Sequence, residues 1–164
     1  MRYAQIRKYD VANGPGIRTS VFVTGCTHHC AGCFNEEYQD FEYGMDWSDK
    51  TTQELIEYLE DPNVSGLTLL GGEPFQNSEG LIPVIEEVRR RVDTNIWAYS
   101  GYCFDELMED QTNRKLLELC DVLVDGLYVD ALRDLTLRFR GSSNQRIIDV
   151  AKTIETGEIR LFME

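Results

Sequence analysis

Cys26, Cys30 and Cys33 form a CxxxCxxC triplet directly after the apolar run Val21-Phe22-Val23 and the turn residue Gly25. Thiolates are the soft ligands of iron-sulfur clusters, which are usually held by four cysteines. A compact triplet with no obvious fourth partner therefore reads as a cubane with one iron open to a substrate, a reaction centre rather than an electron carrier. Structural zinc is the alternative, because Cys3His sites are common and His28 and His29 lie in the same loop. The spacing argues against it. Zinc sites usually pair their ligands on two separated knuckles, and this chain has no second CxxC and no HxxxH. Cys103 and Cys120 are isolated and read as small packing residues rather than a fourth ligand. The two histidines read as loop spacers or as donors behind the ligands.

The elements that must position this loop follow from the pattern of apolar runs. Strands are expected at Arg18 to Thr24, Gly66 to Leu70, Thr94 to Tyr99 and Asp121 to Val124, with Glu158 to Met163 closing the chain. Between them, Thr51 to Leu59 reads as a helix capped near Ser48 or Thr51, with Leu55, Ile56 and Leu59 on one face. Asn77 to Val92 repeats Leu81, Ile82, Ile85 and Val88 at helical spacing, and Phe104 to Leu119 gives a further helical region interrupted near Thr112. Alternating strands and helices predict an α/β fold with parallel strands and outer helices. A full eight-fold barrel needs about 250 residues, so 164 residues predict a partial (β/α) barrel with one open side. In such folds the strands' C-terminal ends carry the site. The triplet follows the first expected strand there, and Gly71-Gly72-Glu73-Pro74 leaves the second at the same rim. Two glycines let a ligand approach the backbone and Glu73 offers a carboxylate to a cation, although Gly-Gly-x-Pro is also an ordinary exit from a strand.

Composition narrows the class. A chain of this length with 42% hydrophobic residues predicts a single domain over residues 1–164 with a real core. No apolar stretch approaches a membrane span and the N-terminus does not read as a signal peptide, so a cytoplasmic location is expected, with no membrane partner. Five cysteines, three clustered and two single, are not a disulfide framework. A net charge of -13 disfavours nucleic acid, whose binding relies on lysine and arginine. The basic run Arg89-Arg90-Arg91 reads as a solvated helix end.

The triplet after one strand and Gly-Gly-Glu-Pro after the next resemble the radical S-adenosylmethionine superfamily. Three further segments, Asn13-Gly14-Pro15-Gly16-Ile17-Arg18, Gly25 to Asn35 and Arg140-Gly141-Ser142-Ser143-Asn144-Gln145-Arg146, are similar to those of the family that activates anaerobic (class III) ribonucleotide reductases. The resemblance runs from about Ile6 to the end of the chain. It implies the partial barrel of that superfamily, with Cys26, Cys30 and Cys33 holding three irons of a 4Fe-4S cluster. The fourth iron would chelate the methionine moiety of S-adenosylmethionine, and Gly71, Gly72 and Glu73 would hold its amino group. The superfamily often has an aromatic residue just before the third cysteine. This chain has Gly32 there and Phe34 just after, and both become candidates beside the cosubstrate. Tyr99, Ser100 and Asp125 lie where later strands end and are further candidates, or simply strand-end polar groups.

The implied reaction is reductive cleavage of S-adenosylmethionine to methionine and a 5'-deoxyadenosyl radical, which takes hydrogen from an α carbon of glycine in the reductase. No acid, base or nucleophile is required of the protein. The implied partners are the large subunit of the anaerobic reductase and a low-potential electron donor such as flavodoxin. Two other readings stay open: activation of another glycyl radical enzyme such as pyruvate formate-lyase, and a noncatalytic metal or iron-sulfur binding module. The Asn13 to Arg18 segment could dock the target segment or simply turn into a strand. The Arg140 to Arg146 loop could contact a partner, close the site or serve only as a loop.

Overall fold

Side chains alternate across a strand, so each apolar run must divide its residues between two faces. The computed structural model describes residues 1–164. Its strands are β1 (Arg2–Asp10), β2 (Arg18–Val23), β3 (Met45–Asp46), β4 (Gly66–Gly71), β5 (Asn95–Tyr99), β6 (Val122–Asp125), β7 (Arg146–Asp149) and β8 (Leu161–Met163). Its helices are α1 (Asp49–Leu59), α2 (Ser78–Arg91), α3 (Phe104–Glu109), α4 (Gln111–Glu118) and α5 (Val150–Thr156). On one face of the sheet Val21, Val23, Leu67, Leu69, Ile96, Ala98, Leu123 and Ile148 join the main core with the buried stripes of the helices. On the other, Trp97, Val122, Val124 and Ile147 form a second, smaller cluster to which Tyr99 and Phe139 add their rings.

The expectation of a partial barrel of parallel strands is overturned. The strands form one eight-stranded mixed sheet in the order β3-β1-β2-β4-β5-β6-β7-β8. Only β2, β4, β5 and β6 run parallel, while β1, β3, β7 and β8 pair antiparallel at the flanks. The connections explain the difference. Parallel neighbours need a crossover, and α1, α2 and the α3-α4 pair supply these. The short turn through Asn13-Gly14-Pro15-Gly16 instead reverses the chain between β1 and β2, and no helix separates β6 from β7 beyond a single 3-10 turn at Asp130–Leu132. β1 and β7 escape the sequence pattern because they lie outside the buried centre. β1 is mostly half-exposed and mixes charged with apolar residues, and β7 has only Ile147 and Ile148 buried.

Local chemistry sets the element ends. α1 starts at Ser48, whose N–H donates to Thr51 Oγ1 at 3.2 Å. The expected helix from Phe104 is two helices, broken at Asp110, whose side chain accepts from Asn113 N at 2.9 Å and so caps α4. No helix is long and apolar enough to cross a membrane.

Candidate functional site

The cysteine loop leaves β2 at Gly25, which adopts φ +101°, and the face where a Cβ would stand is closed by the Phe41 ring. Backbone bonds then pin the loop on both sides. Gly25 N–H donates to Tyr38 O at 2.8 Å, Cys26 N–H to Gln39 O at 3.0 Å, and Glu73 N–H to Gly25 O at 2.8 Å. Side chains extend the link to the ends of β4 and β5. Asn35 Nδ2 donates to Gly71 O at 3.2 Å, and Gln76 bridges Thr27 and Tyr102.

Cys26, Cys30 and Cys33 line one cavity of about 550 Å³, together with Phe34, Gly71, Gly72, Glu73, Tyr99 and Ser100. Gly32 and Asp125 are not on its wall. Gly32, at φ +74°, turns toward Asp130, whose Oδ1 stands 2.7 Å from where a Cβ would be. Asp125 is buried at the end of β6, paired with Arg146 at 2.6 Å and accepting from Phe104 N at 2.9 Å. Burial pushes the Cys26 and Cys30 thiols above their ordinary range. Cys103 is exposed, Cys120 is buried, and neither lines the cavity.

Glu73 is 1% exposed and its carboxylate is crowded with donors. Oε1 accepts from His28 Nε2 at 2.7 Å and Gly101 N at 2.7 Å, Oε2 accepts from Phe75 N at 2.9 Å, and Ser100 Oγ lies 3.0 Å from both. One side chain thereby ties the cysteine loop to the ends of β4 and β5. Gly71 and Gly72 have a nearer reason to be glycine than ligand access. Gly71 sits at φ +140° with Val23 O in the place of a Cβ, and Gly72 is closed in by Val23 O, Gly25 O and Tyr38 O. Tyr99 donates its hydroxyl to Phe139 O, and burial raises its phenol well above the usual range.

The fold also brings in residues that the sequence did not single out. Arg7, Asn35, Tyr128, Leu135 and Phe139 all line the cavity. Asn35 lies in the motif immediately after Cys33-Phe34 and could have been flagged by that position. Arg7, Tyr128, Leu135 and Phe139 carry no local signal and arrive through β1 and the loop between β6 and β7. Within the Asn13 to Arg18 segment only Asn13 reaches the cavity. Arg18 points into the sheet, where it donates to Thr68 Oγ1 at 2.8 Å, Leu67 O at 2.9 Å and Asn95 Oδ1 at 3.0 Å.

Residues 12–148 match the model of a family described as a 4Fe-4S single cluster domain. The chain is 41% identical over 152 residues to a protein of Haemophilus influenzae named anaerobic ribonucleoside-triphosphate reductase-activating protein, with 90% of this chain and 97% of that one covered. Proteins of the same name from Escherichia coli K12 and phage T4 are 36% and 37% identical over 150 residues, covering 88% and 90% of this chain and 96% and 93% of theirs. With a match of this extent around a cavity lined by three cysteines, the chain belongs to the family of anaerobic ribonucleoside-triphosphate reductase-activating proteins.

Proposed function

We propose that this chain activates an anaerobic ribonucleotide reductase by reductive cleavage of S-adenosylmethionine, leaving a glycyl radical on the reductase large subunit. The observation that carries the reading is the meeting of Cys26, Cys30 and Cys33 with the Gly71-Gly72-Glu73 strand end on one cavity, in a chain of this family. The donor set fits a cluster. Three thiolates on one cavity wall are the soft donors that an iron-sulfur cluster takes.

Cys26, Cys30 and Cys33 would hold three irons, with no fourth cysteine on the wall to close the last. When bound and reduced, the cluster supplies the electron that splits the sulfonium into methionine and a 5'-deoxyadenosyl radical able to take hydrogen from a glycine α carbon. The chain's own part is to bind, orient and exclude water. Gly71 and Gly72 present bare backbone, and an ammonium group beside them can take the donor place that His28 now holds on Glu73 Oε1. Phe34 and Tyr99 give the wall aromatic surface, and Ser100 holds Glu73 in place. Gly32 and Asp125 act from behind this wall, Gly32 through its turn and Asp125 through Arg146. A low-potential carrier such as flavodoxin supplies the electron.

Electron paramagnetic resonance on anaerobic mixtures of reconstituted protein, reductant, S-adenosylmethionine and the reductase large subunit tests the reading, with 5'-deoxyadenosine quantified in the same samples. A glycyl signal requiring all four components is expected, and Cys30→Ala abolishes both signal and deoxyadenosine. A verified 4Fe-4S cluster that yields neither product would sink the proposal.

A further inference from the structure

The segment between β6 and β7 carries features that cosubstrate cleavage does not use. Leu127, Val129, Leu132 and Leu135 are 45%, 36%, 44% and 81% exposed, a concentration of bare aliphatic side chains within nine residues. Arg133 lies within this run and Arg138 and Arg140 follow it, and none has a carboxylate at ion-pair distance, although acidic residues outnumber basic ones 29 to 16 in this chain. Most cations elsewhere find partners, as Arg89 does with Asp121 at 2.8 Å and Arg114 with Glu118 at 3.1 Å, although Arg7, Arg18, Lys50 and Lys152 do not.

This segment is also continuous with the candidate site. Leu135, Leu137, Phe139 and Arg140 form part of the cavity wall. The Tyr128 ring lies 5.0 Å from the Phe34 ring, and the Arg133 guanidinium lies 5.6 Å over it, so the segment packs on the cysteine loop itself. The result is an apolar lip beside the cavity in which three arginines stand against two carboxylates, Asp130 held by Tyr128 and Asp134 by Thr136, a slight local excess of cations on a strongly acidic molecule. Such a lip favours carboxylates only where it stands, while the rest of the surface repels them, and that contrast orients an approaching partner.

We propose that residues 127–141 are the surface on which the reductase docks, receiving an extended segment whose apolar side chains cover the leucines and whose carboxylates face Arg133 and Arg138. The proposal rests on the activating function above and names where its protein substrate is held. Leu132→Ser and Arg138→Glu test it, because neither residue lines the cavity. Affinity for the reductase large subunit is measured with full-length, cluster-loaded protein. Deoxyadenosine formed without the reductase, under a chemical reductant, is measured alongside as a readout of the intact site and fold.

The double variant is expected to lose affinity by about tenfold or more, with reductase-independent deoxyadenosine unchanged, and Arg138→Lys is expected to bind like the parent. Parent affinity in the double variant overturns the proposal. So does a loss that tracks self-association in sedimentation, which would make a second copy of this chain the occupant. A parent that binds the reductase but forms no deoxyadenosine refutes the proposed reaction instead, and the docking surface is then still decided by the affinities.

Discussion

Glu73 is where chemistry and architecture share one side chain. Its carboxylate, 1% exposed, takes backbone donors from Phe75 and Gly101 and side-chain donors from His28 and Ser100. Removing a buried acceptor strands every donor that pointed at it, and each stranded group costs about 1–3 kcal/mol. Glu73→Ala should therefore lower the unfolding free energy by about 3 kcal/mol or more in chemical denaturation. Glu73→Gln keeps the shape and most donors but loses the charge, so it should fold near normally and raise the KM for S-adenosylmethionine by about tenfold, worth about 1.4 kcal/mol. A parent-like KM in a well-folded Glu73→Gln would argue against a role for the charge in holding the cosubstrate.

At the scale of elements, the turn between β1 and β2 depends on Arg18. Its guanidinium is 1% exposed, reaches Pro15 O, Thr68, Leu67 and Asn95, and lies 5.5 Å over the Trp97 ring. Burial holds its pKa down at about 10, yet it remains a cation at neutral pH. Arg18→Leu is expected to cost about 2–3 kcal/mol and to speed amide exchange in residues 13–17. Arg18→Lys recovers little of this, since one ammonium cannot reach acceptors spread over the turn and two strands. The turn's Gly-Pro character was visible along the chain, but its attachment was not. The acceptors are distant in sequence, as Asn95 shows, and no local pattern names them. For the same reason β1 and β7 went unread, because flank strands lack the continuous apolar run that marks β2, β4 and β6.

For the molecule as a whole, pH acts through groups whose protonation differs between the folded and unfolded states. Cys120 is buried in the main core, and burial pushes its thiol up to about 12 from an ordinary 9.0. Above pH 9 the unfolded chain loses this proton while the folded chain keeps it, so folding binds the extra proton and stability falls as pH rises toward 12. Cys120→Ala should flatten that decline by up to about 1.4 kcal/mol per pH unit. Urea denaturation of parent and variant at pH 8 and pH 10 measures it, and identical pH slopes would rule the effect out. The same burial keeps this cysteine away from cluster chemistry at neutral pH.

What the sequence determined by itself is what depends on near neighbours along the chain. It includes the CxxxCxxC loop, the strand-end Gly-Gly-Glu-Pro, the central parallel strands with their helices, and the resemblance that these motifs carry. Tertiary structure decided the rest. It paired the flanking strands antiparallel, closed Gly71 and Gly72 against the end of β2, turned Asp125 and Gly32 away from the cavity, and laid the 127–141 segment on the cysteine loop. Those outcomes rest on backbone packing and on charge partners far apart in sequence, whose energies exist only once the sheet has brought them together.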